Sequence, residues 1–168
     1  MVHRIPDSFE RGSVFSEDRR YRYSLFRKWA EGPMVMFCGL NPSIADDSKN
    51  DPTIARCQAF AQKWGYGGLN MANLFALVST DPKALNQVDD PVGPDNDATL
   101  LHLHKTSAKT VVAWGCKDEL VHQRAIKVAN ILRKEKEIYA LATCKDNCPR
   151  HPLYLKQTLD PVLYGGYI

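Results

Sequence analysis

Four short apolar runs along the chain predict strands that are covered on both faces. They span residues 34–40, 69–77, 110–115 and 138–142. Continuous apolar runs of this length are typical of parallel strands buried between helices. Ahead of them, residues 21–29 alternate large apolar with polar side chains, which indicates a half-buried strand in a β-rich N-terminal extension.

The segments between the apolar runs carry apolar residues at helical spacing. Asp51 and Pro52 predict a helix start, with the aspartate as N-cap and the proline at the first helical position. Further helices are predicted over residues 96–104 and 118–135, and residues 80–94 are predicted to form a long loop. Strands that alternate with helices favour an α/β layered domain with a mainly parallel sheet.

Polar side chains follow these strands at the place where a parallel sheet binds ligands, beyond the carboxyl ends of its strands. Asn41 follows the first run, Asn73 lies in the second and His151 lies in the loop after the fourth. Asn41 is either a turn residue or an amide that orients a water molecule. Asn73 either reads the edge of a nucleobase or belongs to a structural network. His151 is either a surface histidine or a donor to a carbonyl that gains charge.

Three aspartates downstream of Asn41 are candidates for acid–base or metal chemistry. Asp46, Asp47 and Asp51 each offer a carboxylate that can act as a general base. Together they can also be interpreted as ligands of a divalent cation. The structural alternatives stay open, because Asp51 can serve only as a helix cap and the other two can simply be solvated.

The five cysteines do not predict a metal site or a disulfide framework. Their number is odd and their spacing irregular, which favours reduced thiols. Cys144 and Cys148 have three residues between them, unlike the tighter pairs of structural zinc sites, and no second pair is evident. We therefore expect no metal and no organic cofactor.

The overall charge changes the expected substrate more than the expected fold. The chain has 168 residues, enough for a single domain over 1–168, and 22 Lys+Arg against 19 Asp+Glu leave a net charge of +3. This weak excess disfavours generic duplex binding and favours a small or single-stranded substrate. The basic, aromatic segment around residues 19–28 is interpreted either as a nucleic-acid platform or as an ordinary strand edge. No segment has the length and apolarity of a bilayer span or a secretory signal, so we expect a cytoplasmic protein.

Seven ordered motifs give the chain a family resemblance. They lie at residues 21–25, 40–46, 50–54, 64–66, 73–76, 114–115 and 151–155. Over residues 15–160 the chain resembles the uncharacterised bacterial and phage family numbered 1643 among the domains of unknown function. That family name implies no activity.

A subset of these motifs is also similar to the uracil-DNA glycosylase superfamily. The subset is Gly39-Leu40-Asn41-Pro42, then Asn73, then Gly115, then His151-Pro152. This resemblance implies a three-layer α/β/α domain around a four-stranded, mainly parallel sheet. It also implies that Asn41 positions the attacking water, Asn73 reads the base and His151 stabilises charge on the leaving base.

The sequence thus predicts a glycosylase-like hydrolase that cleaves the N-glycosidic bond of a nucleobase, modified or not, in DNA or a nucleotide, in DNA repair or modification. The alternatives are a non-catalytic nucleotide- or modified-DNA-binding module and a hydrolase whose carboxylates hold a divalent cation. The predicted catalytic residues are Asn41, Asp46, Asp51 and His151. The predicted substrate-binding residues are Gly39, Leu40, Pro42, Ser43, Asn73, Phe75, Pro152 and Tyr154. The predicted nucleic-acid contacts are Arg19, Arg20, Arg22 and Arg150.

Overall fold

A mixed seven-stranded sheet organises the chain, in a computed structural model that describes residues 4–167. The strands are β1 (Glu10–Phe15), β2 (Arg22–Lys28), β3 (Met34–Gly39), β4 (Gly68–Asn73), β5 (Lys109–Val112), β6 (Tyr139–Ala140) and β7 (Val162–Leu163). The helices are α1 (Pro52–Lys63), α2 (Asn96–Thr106) and α3 (Glu119–Arg133). Two short 3₁₀ helices, Pro82–Asn86 and Pro152–Tyr154, lie in loops. The predicted α/β class is therefore confirmed.

The order of strands across the sheet is β1-β2-β4-β3-β5-β6-β7. Parallel pairing joins β4 to β3, β3 to β5 and β5 to β6. The outer strands β1, β2 and β7 pair antiparallel, so the sheet has seven strands instead of the predicted four. The extra strands arise because the N-terminal hairpin and the C-terminal segment extend the sheet at its two edges.

Alternation along β3 divides the core between the two faces of the sheet. Val35 and Phe37 pack in one apolar cluster, together with residues of α1. Met36 and Cys38 pack in the other, together with residues of α2 and α3. Successive side chains of a strand point to opposite faces, so a continuous apolar run is buried on both sides.

Helix α1 begins where the sequence predicts, after the loop that follows β3. Asp51 is its N-cap and accepts a hydrogen bond from the backbone N–H of Ile54 at 2.8 Å, with Pro52 at the first helical position. Its buried side chains include Ile54, Cys57 and Phe60. This fixed start places Asp51 beside the carboxyl ends of the central strands.

Strand β4 ends at Asn73, four residues before the predicted end at residue 77. The apolar run continues, but its backbone finds other partners: the side-chain amide of Asn96 donates to the carbonyls of Asn73 and Leu74 at 2.9 and 3.0 Å. The backbone N–H of Phe75 donates to the Leu40 carbonyl at 3.0 Å. The chain therefore leaves the sheet directly after Asn73.

Among residues 4–167, every helix is too short or too polar to cross a membrane.

Candidate functional site

A cavity of about 500 Å³ opens at the carboxyl ends of the parallel strands. The ends of β3 and β4, the start of α1 and the loops after β5 and β6 all contribute to its lining. Eleven of the predicted site residues line it: Arg22, Gly39, Leu40, Asn41, Pro42, Ser43, Asp51, Asn73, Arg150, His151 and Tyr154. Parallel strands bring their carboxyl ends to one edge, which is why residues so distant in sequence meet here.

The side chain of Asn41 is fixed by backbone carbonyls. Its Nδ2 donates to the carbonyls of Pro42 and Ser79 at 3.1 and 3.0 Å, with the Leu77 carbonyl at 3.4 Å. Only the NH₂ end of the amide can donate, so these carbonyls define which end is nitrogen. The Oδ1 end is then free to accept a hydrogen bond from a ligand or a water molecule.

Asn73 provides a buried donor with no partner among the described residues. The residue is 2 % exposed, and its Nδ2 makes no hydrogen bond within the protein. Leaving such a group unsatisfied costs about 1–3 kcal/mol. Gly39 gives it room, because a Cβ at position 39 would lie only 2.8 Å from Asn73 Oδ1. Asn73 thus lines the cavity and contains a buried amide N–H group that no acceptor of the described residues uses.

Asp51 combines a structural role with a place in the cavity. One carboxylate oxygen caps α1, as described above, and the residue is only 7 % exposed. Arg22 lines the same cavity, and burial lowers its pKa to about 10, an effect that the charge of Asp51 opposes. Arg22 therefore stays protonated at neutral pH and supplies a buried positive charge.

Two arginines of β2, Arg22 and Arg27, are buried. Arg22 is 2 % exposed and donates to the Ala45 carbonyl at 2.7 Å, while its Nε has no partner among the described residues. Arg27 is fully buried and donates to Asn50 Oδ1 at 3.0 Å. Both hold the loop between β3 and α1, because a buried guanidinium needs acceptors for its N–H groups.

His151 has a defined tautomer. Its Nδ1 accepts a hydrogen bond from the backbone N–H of Leu153 at 3.3 Å, at the start of the short 3₁₀ helix. A neutral imidazole that accepts at Nδ1 carries its proton on Nε2. Burial, and then the charge of Lys117, lower the pKa of His151 below its ordinary 6.5, although Asp51 opposes them. At neutral pH the ring is an uncharged Nε2–H donor.

Five predicted site residues do not line the cavity: Asp46, Phe75, Pro152, Arg19 and Arg20. Phe75 is fully buried in the core. Arg19 packs over the ring of Phe15 and is exposed on the β1–β2 turn, with Arg20 beside it.

Asp46 is used within its own loop. Its Oδ1 accepts hydrogen bonds from the backbone N–H groups of Ser48 and Lys49 and from the Ser48 hydroxyl. Partial burial raises its pKa, but the hydrogen bonds from Ser48 and Lys49 outweigh it and lower the pKa overall, which makes Asp46 a weak base. The carboxylates of Asp46, Asp47 and Asp51 do not form a ligand group within the described part of the chain. The geometry gives the divalent-cation alternative no support.

Cys116 is the main residue of the cavity that the sequence did not single out. It lies in the loop after β5 and, like Cys144, lines the cavity. The Sγ atoms of Cys116, Cys144 and Cys148 all lie within 4.8 Å of one another. The available signal was positional, because Cys116 follows β5 at the same edge of the sheet at which Asn41 follows β3. All five cysteines are free thiols in this structure.

Comparison with known proteins gives one family. The profile of the family described as Protein of unknown function (DUF1643) matches residues 22–153, most of the chain. The chain belongs to this family. The predicted resemblance to it is thereby confirmed, and the matched range includes the cavity residues from Arg22 to Leu153. No curated protein and no solved structure matches the chain.

Proposed function

We propose that the chain is a glycosylase-like hydrolase that cleaves the N-glycosidic bond of a nucleobase. The observation that carries this proposal is the buried amide of Asn73, whose Nδ2 lacks a partner in a cavity that also holds the neutral Nε2–H of His151. A nucleobase carbonyl is an acceptor that both donors suit. A volume of about 500 Å³ is within the usual range for a small-molecule site.

The proposed reaction divides the work between these side chains. Asn41 Oδ1 accepts a hydrogen bond from a water molecule and orients its oxygen toward the sugar carbon. The new C–O bond forms as the C–N bond breaks, and the bonding electrons leave with the base. The donors of Asn73 and His151 stabilise the negative charge that develops on the base carbonyl.

Asp51 is proposed to stabilise the positive charge on the sugar and to accept the proton of the attacking water. Its carboxylate lines the cavity, and the sugar gains positive charge as the glycosidic bond loosens. The proton lost by the attacking water passes to Asp51 and then to the departed base, so that charge and atoms balance. Asp46 has no part in this scheme, because it does not line the cavity.

The substrate that fits best is a nucleotide or a single-stranded nucleic acid. Tyr154 lies in the cavity lining with 85 % of its surface exposed, which suits stacking with an unpaired base. Arg150 is exposed and lines the same cavity, which suits a phosphate. The net charge of +3 favours such a substrate over a long duplex.

The finer features of the fold belong to the same proposal. Helices cover both faces of the parallel strands β4, β3, β5 and β6, which supports a three-layer arrangement of the glycosylase kind. A cytoplasmic location is also proposed, since free thiols suit a reducing compartment.

Base release from defined oligonucleotides tests the proposed activity. Single-stranded oligonucleotides and free nucleotides with uracil, hypoxanthine or modified bases are incubated with the full chain, and released base is measured by mass spectrometry. We expect release from at least one substrate, reduced about 10²–10³-fold in Asn41→Ala and in His151→Ala. Matched control variants are Asn130→Ala and His102→Ala, at exposed helical positions outside the cavity.

A second candidate is a non-catalytic binding module. It is favoured by the structural roles of Asn41 and Asp51. Both side chains line the cavity, but both also form hydrogen bonds with backbone groups of the protein. Nucleotide binding without release of any base would establish this alternative and reject the hydrolase. Equal release from Asn41→Ala and the parent chain would also reject the proposed mechanism.

A further inference from the structure

Three thiols form a cluster at the carboxyl ends of β5 and β6. The sulfur atoms of Cys116, Cys144 and Cys148 lie within 4.8 Å of one another. The remaining two cysteines are different, because Cys38 and Cys57 are fully buried among apolar side chains of the core. The cluster is therefore separate from the thiols that serve only in packing.

A tight turn brings Cys144 and Cys148 together. The backbone N–H of Cys144 donates to the Cys148 carbonyl at 3.0 Å, and the N–H of Asn147 donates to the Cys144 carbonyl at 2.9 Å. Asn147 has a φ of 60°, a left-handed conformation that asparagine tolerates better than most residues. This turn lets two cysteines with three intervening residues face one point.

The loop after β5 supplies the third thiol. Gly115 has a φ of 78°, and its N–H donates to the Pro149 carbonyl at 2.9 Å. Pro149 directly follows Cys148, so this hydrogen bond ties the Cys116 loop to the turn. The backbone of both loops is thus fixed around the three sulfur atoms.

The chemistry of three converging thiols selects a soft, tetrahedral cation. Thiolates bind Zn²⁺ at about 2.3 Å, which places sulfur atoms about 3.8 Å apart in a tetrahedral site. The three sulfur atoms, all within 4.8 Å of one another, already lie close to this spacing. Hard cations such as Mg²⁺ prefer oxygen ligands, which this group lacks.

We propose that Cys116, Cys144 and Cys148 bind one Zn²⁺ ion whose fourth coordination position is open to the cavity. No fourth His, Cys, Asp or Glu joins the group within the described residues. Cys116 and Cys144 line the cavity, whereas Cys148 is buried behind them. A metal ion between them therefore exposes its remaining position to water or to a substrate atom.

The surrounding charge is compatible with this ion. Three thiolates around Zn²⁺ carry one net negative charge, and Lys117, which lines the same cavity, supplies a compensating positive charge. The proposal is independent of glycosidic cleavage, since it concerns metal binding alone. It would stand if no base were ever released.

Metal titration of the reduced full chain tests the site. The chain is purified with a reductant, stripped with a chelator and titrated with Co²⁺ under nitrogen, followed by Zn²⁺. We expect one Co²⁺ per chain with the absorption of tetrahedral thiolate coordination, displaced by one equivalent of Zn²⁺. Cys116→Ser should weaken Zn²⁺ binding at least about 100-fold, because it removes a ligand. Circular dichroism is used to confirm folding.

Variants keep the test decisive if one of them fails to fold. Cys148 is buried, so a replacement of Cys148 is the variant that is expected to disturb folding most. The test therefore uses Cys116→Ser and Cys144→Ser. Cys57→Ala is the matched control and should bind Zn²⁺ as the parent chain does. Absence of stoichiometric binding, or equal binding by Cys116→Ser, would overturn the proposal. So would isolation of the chain with iron and sulfide, or a stable disulfide within the cluster under reductant.

Discussion

The cavity has two walls that are built by different means. One, here the amide wall, consists of Asn41, Asp51 and Asn73. The other, here the loop wall, consists of Cys116, Cys144, Cys148 and His151. The amide wall stands on the ends of β3 and β4 and on the first turn of α1, elements whose side chains fill the core. The loop wall stands on irregular segments after β5 and β6.

The two walls differ in what holds their side chains in place. In the loop wall, backbone hydrogen bonds carry the arrangement: Gly115 to Pro149 at 2.9 Å and Arg150 to Ala142 at 2.8 Å. Cys116 is exposed and Cys144 is half-buried. The comparison indicates that the amide wall is set by folding itself, whereas the loop wall is the part that a bound ion would stabilise.

Replacement of Asn73 should give the largest of the following effects. Asn73→Ala removes a donor worth about 1–3 kcal/mol, so kcat/KM for base release should fall about 10- to 100-fold. Asn73→Asp keeps the shape but replaces the donor by an acceptor, which should disfavour bases with a carbonyl at that position. Competition between bases differing in that group measures the effect. Unchanged selectivity in Asn73→Asp would mean that the amide wall does not read the base.

Replacement of Asp51 separates capping from chemistry. Asp118 caps α3 as Asp51 caps α1, accepting from the Val121 N–H at 3.1 Å, but it does not line the cavity. Asp51→Ala and Asp118→Ala should each lose about 0.5–2 kcal/mol of unfolding free energy in urea titrations. Only Asp51→Ala should also reduce base release once folding is normalised. Equal losses of activity in both variants would show that Asp51 acts only as a helix cap.

Acidification should weaken the loop wall through His151. The pKa of His151 is lowered in the folded state, chiefly by burial, so its stabilising contribution is complete above pH 6.5. That contribution is lost as the pH falls below 6.5 and through the lower folded pKa, because the unfolded chain then binds more protons. Protonation would also place an Nδ1–H group against the Leu153 N–H.

The measurement is base release and thermal stability between about pH 8 and about pH 5. We expect a plateau above pH 6.5 and a decline below it. In His151→Gln, stability should fall less on acidification than in the parent chain, because this ring no longer takes up a proton. His104 remains as an internal reference, since burial lowers its pKa as well and it lies in the core outside the cavity. An identical stability decline in His151→Gln would contradict the assignment.

The smallest effect is expected from Cys116→Ser in the metal-free chain. Cys116 is exposed, and exposed substitutions usually change stability by less than about 0.5 kcal/mol. With Zn²⁺ present, the parent chain should gain thermal stability that Cys116→Ser lacks, since an ion that binds only the folded state stabilises it. Differential scanning fluorimetry with and without Zn²⁺ measures both. A large loss without metal would show that Cys116 is itself structural.

Much of the amide wall could be predicted because its signals are local. Asp51 and Pro52 define the start of α1 within two residues of sequence, and the apolar run of β3 ends visibly before Asn41. The end of β4 could not be predicted, because the apolar run continues beyond Asn73. The strand ends there because the side-chain amide of Asn96, which is distant in sequence, donates hydrogen bonds to the carbonyls of Asn73 and Leu74.

Arg22 was predicted as a nucleic-acid contact together with its neighbours Arg19 and Arg20. Strand β2 is interior, paired with β1 on one side and β4 on the other, so the arginine is enclosed instead. Arg19 and Arg20 remain on the exposed turn, three and two residues away. Neighbours in sequence thus have opposite environments, and only the pairing of strands decides which is buried.

The sequence by itself determined the α/β class, the family, the start of α1 and the polar residues at the strand ends, since propensity, periodicity and motif order are local properties. The tertiary structure alone decided which of these residues meet. Parallel strands β5 and β6 are adjacent although α3 separates them along the chain. Their following loops therefore bring Cys116 to Cys144 and Cys148, a convergence that no spacing in the sequence encodes.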